Sequence, residues 1–175
     1  MGNILAYGQV TLRAVEPEDL ELLFEWENDS SLWEISNTRT PFSRFMLSQY
    51  LQEAMRDVYE QKQVRLIIMV EGNGPVGAVD LFDIDFYHQR AGVGILIHRT
   101  GDRHHGYASD ALKALENYVT ETLGIRQLYA NISEDNTPSI QLFQKAGYSL
   151  TGIKKNWLNT LKGWKDEWFF QKMLL

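Results

Sequence analysis

At 175 residues, 44% apolar and 12% aromatic, the chain has the size and composition of one globular domain spanning 1–175, burying about 70% of its extended-chain surface. The absence of cysteine excludes disulfides, thiolate metal sites and a covalent acyl-cysteine, and a formal charge of −6 argues against a general binder of nucleic-acid phosphates. No apolar run is long enough to cross a bilayer, and the opening Met1, Gly2, Asn3, Ile4, Leu5 and Ala6 carry neither a basic leader nor a myristoylation signal, so the cytoplasm is the expected location.

In chain order, residues 9–15 alternate Val10, Leu12 and Ala14 against Gln9, Thr11 and Arg13, the pattern of a half-buried strand. Glu16, Pro17, Glu18 and Asp19 open a helix, because proline suits its first position and carboxylates its positive end; Leu20, Leu23 and Phe24 form the buried stripe, which fades near Asn28 and Asp29. Residues 30–39 are polar and irregular. Residues 42–61, with Phe45, Leu51, Met55, Val58 and Tyr59 among their apolar positions, are expected to form a second helix. The aliphatic run 64–70 reads as a strand, 71–75 as a turn and 76–85 as the returning strand, with Asp80, Asp83 and Asp85 toward its far end.

A short connection through His88 and Arg90 leads into a strand over 91–98, where Gly92 and Gly94 signal a bulge or a close backbone approach. Arg103, His104, His105, Gly106, Tyr107 and Ala108 then form a loop into a helix, whose apolar positions Ala108, Ala111, Leu112, Leu115, Val119 and Leu123 recur at helical spacing before Gly124 stops it. Glycine beside arginine at a helix N-terminus offers unpaired N–H groups, the positive end of a dipole and room for close approach, which together suit a pyrophosphate. Residues 127–132 make a short strand; Thr137 is the expected N-cap and Pro138 the first residue of a helix that turns Ile140 and Phe143 inward and ends at Gly147. Residues 150–158 and 164–174 flank 159–163 as a terminal hairpin whose aromatics, among them Trp157, Trp164 and Trp168, occur on both faces; core packing and a homo-oligomer contact are both open readings.

Three separated stretches carry a resemblance. Arg103-x-x-Gly106-x-Ala108 resembles the acyl-CoA signature of the GCN5-related N-acetyltransferases, the GNAT superfamily. Leu12-Arg13 through Glu16-x-x-Asp19-Leu20 to Trp26-x-Asn28 is similar to the opening of its branch of ribosomal-protein N-terminal and spermidine acetyltransferases. Asn136-x-x-Ser139-Ile140-x-Leu142-Phe143-x-Lys145-x-Gly147-Tyr148 resembles the motif that closes the CoA site from the other side. The resemblance implies an α/β (α+β) fold: a mixed, mostly antiparallel sheet of about seven strands with helices on both faces. It also implies acetyl-CoA as co-substrate with no metal, direct transfer of acetyl to a primary amine, and cofactor contacts from Arg103, His104, His105, Gly106, Tyr107, Ala108, Asn136 and Phe143. In the family the strand over 91–98 splays from its neighbour, so Ile95, Leu96 and Ile97 are where the pantetheine amides would pair, as an added strand does.

Such chemistry must overcome protonation: a lysine-like amine of pKa about 10.4 is nucleophilic in only about one molecule in a thousand near neutral pH, a handicap of roughly 4 kcal/mol. Candidates to accept that proton are Asp80, Asp83, Asp85, Glu34 and His88, of which Asp80 and His88 lead without a ranking between them. Where the family carries a tyrosine general acid this chain has Phe143, which cannot donate; Tyr129, Tyr148 or water would have to replace it, and a Phe143→Tyr change would be expected to raise turnover. The four histidines show no metal-ligand spacing. The run from Asp80 to Ala91, including His88 and Arg90, is similar to that of spermidine acetyltransferases, although Gly92 stands where an acid is common. A polyamine, a protein N-terminus, an amino sugar or another small amine remain the candidate acceptors, with a non-catalytic acyl-CoA-binding module as the alternative function; nucleic acid and membrane are not expected partners.

Overall fold

The computed structural model describes residues 2–174; Met1 and Leu175, the ends of the span read as one domain, lie outside the described residues. Eight strands form one sheet in the order β1-β2-β3-β4-β5-β6-β8-β7. They are β1 (Ala6–Tyr7), β2 (Val10–Ala14), β3 (Val64–Val70), β4 (Gly74–Asp85), β5 (Arg90–Ile97), β6 (Gln127–Ser133), β7 (Ser149–Thr160) and β8 (Gly163–Met173). Among the described residues β5 and β6 are the one parallel pair. The strand beyond the expected seven is β1, whose two residues pair Ala6 with Thr11 and Tyr7 with Val10, too short to show an alternation.

Period-two alternation gives each face its own core. Leu66, Ile68, Val79, Leu81, Val93, Leu128 and Phe170 bury one face against α5 (Tyr107–Glu121) and α6 (Thr137–Lys145). Ile67 and Ala78 bury the other against Leu23 and Trp26 of α1 (Leu20–Glu27) and Leu47 and Leu51 of α3 (Arg44–Glu53). The α5 stripe of Ala111, Leu112, Leu115 and Val119 is fully buried, each large side chain contributing about 1.5–3 kcal/mol. Buried Glu116 on the same helix accepts both its bonds, at 2.8 Å, from Lys172 of β8, which also donates to the Ala146 carbonyl at the end of α6. That ion pair ties three elements together; removing one partner of such a pair costs about 3–5 kcal/mol. No helix among the described residues is long and apolar enough to cross a membrane.

Several local expectations need correction. The segment 42–61 is two helices, α3 and α4 (Val58–Gln61), because Asp57 accepts the Tyr59 N–H at 2.7 Å and so caps a new start; Phe45, Met55 and Tyr59 are exposed, and the stripe is Leu47 and Leu51. Within 30–39 lie a 3₁₀ turn, Ser30–Leu32, and α2 (Trp33–Ser36), stopped by Asn37 at φ +55°. Asn136, not Thr137, caps α6, accepting the Ser139 N–H at 3.4 Å. The bulge falls in β4, where the register shifts between Phe82 and Asp85 and Asp83 takes φ +48°; in β5, Gly92 makes room for the Phe82 ring, which a Cβ would meet at 2.2 Å.

Candidate active site

The parallel pairing of β5 with β6 lasts three rungs, Arg90 with Gln127, Ala91 with Leu128 and Gly92 with Tyr129, after which the strands part. His98 donates to the Val76 carbonyl at 3.0 Å, so by alternation Leu96 and Gly94 also bond toward β4, while the backbone of Val93, Ile95 and Ile97 faces the opening. Unlike the expectation that grouped Ile95, Leu96 and Ile97, only the odd-numbered members present N–H and C=O groups there. An extended chain can add to such an edge.

The opening leads to the start of α5. Gly106 occupies the N-cap at φ +85° and His104 sits at φ +65°, and no side chain caps the helix. The first-turn N–H groups are therefore available to an anion. Arg103 donates to the carbonyls of Ile97 (3.1 Å) and His98 (3.2 Å), fixing the loop to the end of β5. His105 bonds through Nε2 to Gly101 O at 3.0 Å and stacks on Tyr107, with ring centroids 5.4 Å apart. Asn136, at the head of α6, follows β6 across the opening; its Oδ1 is used as the cap, leaving the amide NH₂ as the group able to reach a ligand. Thus Arg103, His104, His105, Gly106, Tyr107, Ala108, Ile95, Ile97 and Asn136 gather at one end of the parallel pair.

On the opposite face, under α1 and α2, lies a cleft of about 510 Å³ whose wall includes Trp26, Glu27, Arg65, Asp80, Ile95 and His98. Arg65 donates to both oxygens of Asp80, at 2.7 and 2.9 Å, and to Glu27. Burial pushes the Arg65 guanidinium down, but Asp80 and Glu27 outweigh it and hold it firmly protonated, so the cluster is one cation between two carboxylates. A second cleft of about 270 Å³ meets the same pair from the α3 side, beside Tyr50. His98 stacks on Trp26 at a centroid distance of 4.2 Å with planes 4° apart. Burial, then the charge of Arg65, push the His98 imidazole down to about 4, so it is neutral at physiological pH; its Nδ1 and Trp26 Nε1 are buried without partners among the described residues. His98 did not stand out in the sequence, and although Trp26 belongs to the Trp26-x-Asn28 stretch, no local spacing signals the stack, which joins positions 72 apart.

Of the candidate acids and bases, Asp80 reaches this cleft and His88 does not. His88 is exposed in the β4–β5 turn, its N–H bonded to Asp85 Oδ1 at 2.9 Å. That bond, more than the nearby charges of His88 and Arg90, holds the Asp85 carboxyl below its usual range. Glu34 is paired with Lys165 at 2.9 Å, and Asp83 lies exposed at the bulge. Phe143 is 2% exposed and packs edge-on against Tyr148, so its ring is part of the core. Burial, then Glu116, push the Tyr148 phenol well up and leave it protonated within the same core. Tyr129 is different: half-buried at the last β5–β6 rung, it is raised by burial and by nearby Asp83, and its ring contacts those of Phe82 and Phe169. A protonated phenol thus stands where the two strands diverge.

The family described as acetyltransferase (GNAT) domain matches residues 9–149. The spermidine N(1)-acetyltransferase of Escherichia coli K12 is 27% identical over 143 residues, covering 82% of this chain and 74% of the relative. The uncharacterized N-acetyltransferase p20 of Bacillus licheniformis is 26% identical over 153 residues, 85% of this chain and 84% of the relative. The crystal structure of spermidine N-acetyltransferase from Vibrio cholerae in complex with CoA and spermine superposes with a TM-score of 0.85 at 18% identity, over 95% of this chain and 96% of that one. At that identity the likeness is one of fold.

Proposed function

The chain belongs to the GNAT family of acetyltransferases and is an acetyl-CoA-dependent N-acetyltransferase, and on that premise we propose that it acts as a single domain on a small cationic amine of polyamine type, with a protein N-terminus as the second acceptor class. The observation that carries this reading is the opening between β5 and β6 that runs into an uncapped helix start. The acetyl-CoA diphosphate takes the N–H groups at the head of α5, over a loop that Arg103 holds in place, and the pantetheine amides run along Val93, Ile95 and Ile97. Asn136 flanks the arm from α6. The acetyl carbonyl is then polarised by an outward N–H of β5, a donor fixed before reaction begins.

The amine enters from the α1 and α2 face, where Glu27 and Asp80 exceed Arg65 by one negative charge and favour a cation. Both oxygens of Asp80 already accept from Arg65, so this carboxylate draws the ammonium in and takes its proton through water rather than by direct contact. Tyr129, in place of the missing phenol at Phe143, returns a proton to the departing CoA sulfur. The spermidine acetyltransferases among the relatives support the polyamine class.

Turnover measured with acetyl-CoA against spermidine, a ribosomal N-terminal peptide and an amino sugar tests the reading. Transfer to a cationic amine supports it; acetyl-CoA binding with no turnover on any amine refutes it and favours the non-catalytic module. A homo-oligomer built through β7, an edge strand exposing Leu150, Ile153 and Trp157, is part of the same proposal. A spermidine N-acetyltransferase of similar fold has a dodecameric structure. Light scattering that finds only monomer removes that part.

A further inference from the structure

Lys154 extends from the edge strand β7 inward across β8. It lies opposite Glu167 in the register, and its ammonium sits 2.9 Å from Glu167 Oε2 and 2.9 Å from Asn131 Oδ1, with the rings of Trp157 and Phe169 at 5.3 and 5.6 Å. Two oxygens and two aromatic faces therefore hold a primary ammonium, the arrangement an amine acceptor would need. Its position matters more than its partners. Asn131 is two residues beyond Tyr129, the last rung before β5 and β6 part. Its neighbours Ala130 and Ile132 are buried on the α5 and α6 side, so Asn131 and the tip of Lys154 lie on the other face, the one from which the amine arrives. An acyl arm added along β5 would lie about one strand spacing, 4.7–4.9 Å, from β5, on the side that β6 vacates after Tyr129.

We propose that the enzyme acetylates its own Lys154, whose ammonium occupies the acceptor side of the β5–β6 opening; this rests on the acetyl-CoA reading above. Glu167 takes one proton from the ammonium. The freed amine attacks the thioester carbonyl, an N–C bond forms, the C–S bond breaks and its electron pair leaves on sulfur. The thiolate takes the second proton as free CoA, and Glu167 later releases the first to water. The product is a neutral amide, so the ion pair with Glu167 is lost. A substrate amine competes with Lys154 for the same place and protects it.

The full chain incubated with isotopically labelled acetyl-CoA and no amine, then mapped by mass spectrometry, tests this. Lys155, exposed on the other side of β7 and paired with Asp166 at 2.7 Å, is the internal reference for spontaneous acetylation. Lys154 should be labelled at least about tenfold faster than Lys155. The rate constant should not depend on protein concentration, and excess desulfo-CoA or spermidine should suppress it. Lys154→Arg should abolish the fast label and leave that at Lys155. Equal labelling of the two lysines, labelling indifferent to desulfo-CoA, or a rate proportional to protein concentration would overturn self-acetylation in cis. Calorimetry on the same sample separates the failures: heat on adding acetyl-CoA with an unlabelled Lys154 overturns this inference alone, and no heat overturns the acetyl-CoA reading with it.

Discussion

Replacing Ile95 by proline removes one N–H from the open side of β5 and leaves the ladder to β4 intact, since that ladder uses Gly94 and Leu96. The preceding residue is Gly94, which has no Cβ to crowd a proline ring. A neutral hydrogen bond contributes about 0.5–1.5 kcal/mol, so acetyl-CoA should bind about 2- to 13-fold more weakly. Ile95 is also half-buried against the larger core, so Ile95→Ala, which trims the side chain and keeps the N–H, is the proper reference. Leu96→Pro is the opposite control: its N–H pairs toward Ala78, and losing that ladder bond leaves a buried carbonyl unpaired at about 1–3 kcal/mol, a fall in Tm of roughly 2–12 °C. Titration calorimetry gives the affinities and scanning calorimetry the melting temperatures. Equal affinity of the proline and alanine variants, both melting cooperatively, would refute the placement of the pantetheine on this edge.

Asp80→Asn should raise KM for a cationic amine about tenfold and leave acetyl-CoA affinity unchanged; a change confined to acetyl-CoA binding in steady-state kinetics would count against the proposed acceptor cleft. Tyr129→Phe should lower kcat by about 10- to 100-fold, toward the low end for acid–base groups because a thiol of pKa about 8.5 leaves tolerably unaided, and an unchanged kcat would remove Tyr129 as the proton donor. His98, whose folded pKa of about 4 lies below its ordinary 6.5, makes the protein less stable as acid is added: between those values the unfolded chain takes a proton that the folded one refuses. Stability should fall from pH 6.5 to 4 and level off with respect to this group below 4, and His98→Phe should flatten that fall; parallel Tm profiles for the two proteins would contradict it. Burial of Phe143 alters the expectation for Phe143→Tyr, because a hydroxyl added to a ring that is 2% exposed costs about 1–3 kcal/mol if it finds no partner. A lower Tm with no gain in kcat is the expected result, and a gain in kcat at unchanged Tm would show that the ring borders the thioester.

The loop before α5 and the helix itself were legible because both signals are local: glycine close to arginine at the helix start, then apolar residues at helical spacing. The partner residues of the proposed acceptor cleft were less so. Arg65 is one polar residue in an aliphatic strand, and its link to Glu27 and Asp80 joins three elements that only the folded sheet brings together. Asp83 shows why counting along β4 fails beyond Phe82: the bulge takes an aspartate at φ +48° and resets the faces. In 42–61 the apolar residues are frequent enough to suggest one helix, but the side-chain cap at Asp57 restarts it, and a cap competes with periodicity without altering composition. Lys154 was passed over for the same reason as His98. Its partners are on β6 and β8, and nothing within its own strand marks it.

A co-crystal with CoA locates the cofactor on the sheet. Diphosphate oxygens should lie within hydrogen-bond distance of the N–H groups at the head of α5, and the pantetheine amides should pair with the outward edge of β5. A fully occupied CoA lying elsewhere on the sheet, with the β5–β6 opening and the α5 start filled only by water, would contradict that placement.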